Sequence, residues 1–156
     1  MRRVDADEVT YSLHIVLRFE LEREMLAGTV TPADLPDAFA AKLREYLGVE
    51  PVDVVDGVLQ DVHWSDSNFG YFPTYALGNV IAAQLWERLT GVLGDLDREF
   101  ERGEFASLRE WLCEHVHRWG RVFEPAELLE RIVGGPLDAG PYLAYLRAKV
   151  EALESV

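Results

Sequence analysis

Apolar residues recur at helical spacing through almost the whole of this chain, and nowhere do they alternate as in a strand. The first run is Val9, Leu13, Val16, Leu17, Leu21 and Met25, with the charged Arg18, Glu22 and Arg23 at other positions. It predicts a helix from about Ala6 to Ala27, stopped near Gly28. Pro36 suits the first turn of a second helix, where its missing N–H costs nothing. Phe39, Leu43, Tyr46 and Leu47 mark that helix, which ends at Gly48. Pro51 to Leu59 predicts one or two further turns.

Pro73 opens a helix carrying Leu77, Val80, Ile81, Leu85, Leu89 and Leu93. Its wide apolar face predicts a central position, and Gly78 within it suggests close approach of another backbone. Short helices follow over Leu96–Gly103, around Phe105 to Val116, and from Pro125 to Val133, ended by Gly134-Gly135-Pro136. Pro141 opens the last. The predicted fold class is all-α. At 156 residues the chain suits a single helical domain spanning 1–156, which at this size buries roughly 68–70% of its unfolded surface.

Between the second and third long helices lies a stretch with neither period. Gly57-Val58-Leu59-Gln60-Asp61-Val62-His63-Trp64 is followed by Ser65 and then Phe69-Gly70-Tyr71-Phe72-Pro73-Thr74-Tyr75. Packing alone gives a loop no reason to gather Gln, Asp, His, Trp and several more rings, so a positioned functional loop is expected here. Charge narrows the function. Twenty-eight acidic residues against 15 basic ones leave a net charge of −13, which argues against nucleic acid and against an anionic membrane surface. The opening residues, acidic from Asp5, lack the apolar core of a signal peptide. No apolar run reaches the roughly 18 residues of a membrane span. The single cysteine, Cys113, excludes an internal disulfide. A cytoplasmic location is the default expectation.

Two segments carry a resemblance. Arg3-Val4-Asp5-Ala6-Asp7, continued by Glu8 through His14, is similar to an I/V-R-x-x-A-D motif, and Gly57 to Trp64 is similar to G-x-x-Q-D-x-H-W. Both belong to the thermostable carboxypeptidase (carboxypeptidase Taq) family of zinc metallocarboxypeptidases, which trim peptides from the C-terminus. The likeness runs from Arg3 to about Ala152 and resembles the C-terminal portion of the family's zincin-like helical fold. It implies that Arg3 binds a peptide's terminal carboxylate and that His63, Tyr71 and Tyr75 contact substrate. Gln60, Asp61 and Trp64 are expected to brace the loop. The family's zinc motif, H-E-x-x-H, does not occur in this chain, so the resemblance predicts no bound metal and no catalytic residue in this chain alone. A homodimer, or a missing N-terminal catalytic portion, is the expected partner, with peptide C-termini bound weakly at best. The alternative is a standalone helical interaction or peptide-binding module derived from the family. Two departures stand out. Arg2 replaces the apolar residue before Arg3, and Ser67 stands where the family's glycine is expected in W-S-x-G-x-F-G.

Each candidate has a plainer reading. Arg3 can be a flexible charge at a frayed terminus. His63 can be an imidazole held by Asp61 or a carbonyl. Phe69 and Phe72 are expected in the core, and His14 as a hydrogen-bonded core histidine. Cys113 and His117 share a helix face, but His115 points elsewhere, which disfavours a metal site. Trp86, Trp111, Trp119, Tyr142 and Tyr145 are expected as core or interface anchors.

Overall fold

Asp7 sets where the first long helix begins. In the computed structural model, which describes residues 2–154, its Oδ1 accepts the amides of Val9 and Thr10 at 2.9 and 3.0 Å. Its Oδ2 accepts the Thr10 hydroxyl at 2.6 Å. A turn closed by an aspartate in this way competes with helix for the same donors. Helix α1 therefore runs Tyr11–Leu26, rather than from Ala6. Upstream of it, Arg3–Asp5 forms a single 3-10 turn.

The remaining helices are α2 (Leu35–Leu47), α3 (Pro73–Leu93), α4 (Asp97–Glu101), α5 (Ala106–His115), α6 (Pro125–Val133) and α7 (Gly140–Glu154). No strand occurs among the described residues, as the absence of alternation predicts. Pro36 and Pro125 lie in the first turns of α2 and α6, and Gly48 and Gly134 end those helices with left-handed backbones at φ 66° and 85°. No described helix is long and apolar enough to cross a membrane.

The chain divides into two compact units, Met1–Leu77 and Gly78–Val156. In the first, α1 packs on α2 through Leu17, Leu21, Phe39 and Leu43, all fully buried, with Tyr46, Leu47, Val58 and Trp64 around them. Burying each such side chain contributes about 1.5–3 kcal/mol. In the second, Leu89, Leu96, Trp111 and Ile132 form the core.

Helix α1 is apolar on more than one side. Its inner face buries Ile15, Leu17 and Leu21, while Leu13, Val16, Phe19 and Leu26 stay exposed. Helix α3 is also less enclosed than its sequence predicts. Only Gln84 and Leu89 are buried along it, and Leu77, Trp86 and Val92 are exposed. No backbone approaches Gly78, where an added Cβ would meet nothing within 4 Å. Of the expected anchors, Trp111 and Tyr142 are buried, whereas Trp86 and Tyr145 are 44% and 46% exposed.

Candidate functional site

After α2 the chain makes tight turns to a 3-10 segment, Val58–Gln60, and then crosses as irregular backbone to α3. Gly57 is buried at the start of this stretch, and its amide donates to the Asp53 carbonyl at 2.9 Å. A Cβ there would sit 3.1 Å from that carbonyl oxygen, which accounts for glycine. Next, the amides of Ser67 and Asn68 donate to the carbonyls of Trp64 and His63 at 3.1 and 2.8 Å. Ser67 is the one described non-glycine residue in the left-handed region, at φ 61°. It occupies the position where the sequence motif leads one to expect glycine. A left-handed non-glycine residue costs about 1–2 kcal/mol. Ser67→Gly should therefore raise the unfolding free energy by about 1 kcal/mol, readable as a higher denaturant midpoint at unchanged slope.

Asp61 gathers the site. Arg3 donates from Nε and Nη2 to its Oδ1 at 3.1 and 2.6 Å, and Arg18 donates from Nε to its Oδ2 at 2.8 Å. Arg18 Nη2 lies 2.7 Å from the same oxygen. Burial pushes the Asp61 carboxyl upward, but the two arginines outweigh it and hold the group below its ordinary value. Burial pulls Arg18 down to about 10 even against Asp61.

The Arg3 reading as a frayed charge is overturned. Its side chain is only 11% exposed, its amide donates to Gln60 Oε1 at 2.8 Å, and its guanidinium lies 5.0 Å from the centre of the Tyr75 ring. Gln60 in turn donates from Nε2 to the Asp56 carbonyl at 2.9 Å.

His63 sits at the centre of the aromatic group. Its Nε2 is 3.2 Å from the Tyr75 hydroxyl, and its ring stacks on Tyr71 at 5.8 Å and 27°. Phe72 lies 4.4 Å away, ring centre to ring centre. His63 Nδ1 is 3.9 Å from Asp61 Oδ1. Tyr75 belongs to the first turn of α3 rather than to the loop. Tyr71 is half exposed. Phe72 is fully buried as expected, but Phe69 is 43% exposed and is no core residue.

Two residues that apolar spacing does not single out belong to the site. Arg18 and Glu22 stand among the charged positions of the first helix, yet both are buried, at 1% and 2%. Trp64 donates from Nε1 to Glu22 Oε1 at 3.0 Å, and the Gly70 amide donates to Oε2 at 3.1 Å. The spacing His14, Arg18, Glu22 places three polar residues on one line of α1, flanked by Leu17 and Leu21. That four-residue period is the signal that would have revealed them. His14 itself is buried, but neither ring nitrogen has a hydrogen-bond partner, contrary to the expected bonded core histidine. Burial, with the charges of Arg18 and Arg3, lowers its pKa to about 4.

Metal donors do not converge here. Among the described residues no three His, Cys, Asp or Glu side chains are placed to hold one ion. Cys113 Sγ is 3.7 Å from His117 Nδ1, while His115 stacks on Trp111 at 4.4 Å and its Nδ1 is 2.9 Å from the Trp111 carbonyl oxygen. These residues do not fit a zinc site.

Comparisons with known proteins place the chain. Residues 1–150 match the family model described as carboxypeptidase Taq (M32) metallopeptidase. Thermostable carboxypeptidase 1 of Thermus thermophilus is 50% identical over 151 residues, covering 97% of this chain and 30% of that protein. Carboxypeptidase 1 of Bacillus subtilis is 41% identical over the same length, again covering 30% of its own chain. The crystal structure of the M32 carboxypeptidase from Deinococcus radiodurans R1 superposes with a TM-score of 0.95 at 47% identity, over 99% of this chain and 31% of that one. The chain thus spans about a third of the length of the relatives it matches, and it belongs to the carboxypeptidase Taq (M32) metallopeptidase family.

Proposed function

We propose that this chain is the C-terminal part of a zinc metallocarboxypeptidase, contributing recognition of a peptide's terminal carboxylate and one wall of the cleft. The observation that carries this reading is the charge balance around Asp61. Two guanidiniums share one carboxylate, so the trio keeps one positive charge in a chain whose net charge is −13. Arg3 is the more accessible of the two, and it stands beside Tyr75 and His63. An anionic substrate end would find there the Nη1/Nη2 edge of Arg3, whose Nε edge is held by Asp61 and whose Nη1 lies 3.4 Å from the Tyr11 hydroxyl, a ring nitrogen and the phenols of Tyr71 and Tyr75.

Hydrolysis needs a metal and a general base that these residues do not supply, because H-E-x-x-H is missing from the whole sequence. Alone, the chain is proposed to be inactive. Alone, it also binds peptide weakly. A charge-assisted hydrogen bond contributes about 1.5–3 kcal/mol, whereas millimolar affinity needs about 4.1 kcal/mol. The exposed apolar side of α1 is a surface for the upstream portion of the enzyme or for a second copy of the chain. The cytoplasm is the proposed compartment.

Mixing the chain with the remaining N-terminal portion of the Thermus thermophilus relative tests this. Metal-dependent release of C-terminal residues should appear, and Arg3→Ala or His63→Ala should reduce it at least a hundredfold. A stable mixture with no activity would count against the reading. Peptide binding by the chain alone tighter than about 100 μM, some 5.5 kcal/mol, and indifferent to both substitutions, would favour an independent peptide-binding module.

A further inference from the structure

Helix α1 grips the aromatic loop at points on both sides of His63. Arg18 holds Asp61, two residues before it, and anchors its own Nη1 on the His14 carbonyl at 2.7 Å. Glu22, one turn further along α1, uses both carboxylate oxygens. One takes Trp64 Nε1, directly after His63, and the other takes the amide of Gly70, directly before Tyr71.

The five residues between Trp64 and Gly70 must return the chain to within reach of a single carboxylate. The left-handed Ser67 and the amide bonds of Ser67 and Asn68 close that bend. A buried carboxylate with unused oxygens would be costly, and both oxygens of Glu22 are taken up by loop donors. His63 and Tyr71, eight residues apart in sequence, then meet as a stacked pair.

We infer that Glu22 is a positioning residue: by holding Trp64 and Gly70 with one carboxylate, it fixes the distance and angle at which Tyr71 meets His63. The inference rests on the proposed reading of that pair as substrate contacts, but the geometry itself is testable without any activity. Glu22→Gln keeps the shape and replaces one of the two acceptor oxygens with a donor. Trp64→Phe removes one donor and leaves the carboxylate.

Amide exchange and ring–ring nuclear Overhauser contacts, measured by NMR on the intact chain, separate positioning from general stability. In Glu22→Gln the Gly70 amide should exchange at least tenfold faster, and the His63–Tyr71 contacts should disappear. Amides of Leu17, Leu21 and Leu43 should stay within twofold of their original rates. Trp64→Phe should give a smaller acceleration at Gly70 in the same direction. Should Glu22→Gln fail to fold, the Trp64→Phe result decides. Unchanged Gly70 exchange in the folded variants, or persistent His63–Tyr71 contacts, overturns the inference. In the reconstituted mixture Glu22→Gln should lower kcat/KM at least tenfold, and an unchanged value also overturns it. A mixture that is inactive even with the unsubstituted chain would sink the substrate reading alone, leaving the NMR result to judge Glu22.

Discussion

Asp61→Ala should destabilise the first unit by about 3–5 kcal/mol, the range for removing one partner of a buried ion pair. Arg18 is 1% exposed and has two guanidinium nitrogens within 2.8 Å of Asp61 Oδ2. Without the carboxylate, its charge keeps the His14 carbonyl and the faces of the Phe39 and Phe72 rings, 5.1 and 5.5 Å away, but no counter-charge. Arg3 would lose its partner too, but at a more accessible position. The reverse substitution is expected to be milder. Arg18→Met removes the deepest charge, fills similar volume and leaves Asp61 still paired with Arg3, so no buried charge is left without a partner. Denaturant midpoints of Asp61→Ala, Arg18→Met and the double variant measure the asymmetry. A loss below 1 kcal/mol for Asp61→Ala would show that the trio does not hold this unit together.

Acid should weaken the fold before the carboxylates titrate, and His14 is the reason. Its folded pKa is lowered from 6.5 to about 4, first by burial and then by the charges of Arg18 and Arg3. The unfolded chain therefore binds a proton that the folded chain refuses between those values. Stability is full above pH 6.5 and falls as the pH drops towards 4, by about 3 kcal/mol at 1.36 kcal/mol per pKa unit. Asp61 acts later and in the same direction. Its folded pKa lies below the ordinary 3.8, so its contribution is present above that value and is lost as the pH falls through the folded one. His14→Leu should flatten the slope between pH 6.5 and 4. It should cost little at pH 7, because the imidazole nitrogens have no partners to lose. A His14→Leu protein with the original slope would refute the assignment.

The helices were legible because period and punctuation agree. Pro36, Pro73 and Pro125 mark starts, Gly48 and Gly134 mark stops, and the apolar spacing fills the intervals. The start of α1 was not legible, because the Asp7–Thr10 turn depends on side-chain hydrogen bonds that apolar spacing does not register. The gathering of Gln60, Asp61, His63, Trp64, Tyr71 and Tyr75 in one stretch announced a positioned loop. What holds that loop did not announce itself. Arg18 and Glu22 read as solvated charges because their partners, Asp61, Trp64 and Gly70, lie more than 40 residues away in sequence. The order of Arg3 is hidden in the sequence for the same reason, since its proximity to the chain start is a local fact and its bond to Asp61 is a distant one.

The double-sided α1 sets up a contest between two forces of different range. Repulsion from a net charge of −13 keeps copies of the chain apart. Attraction between the exposed Leu13, Val16 and Phe19 acts only at contact. Added salt shortens the reach of the charges from about 10 Å at 0.1 M to about 3 Å at 1 M, and leaves the apolar contact in place. Any association through this side of α1 is therefore expected to strengthen with ionic strength, and light scattering at 0.1 M and 1 M salt checks it.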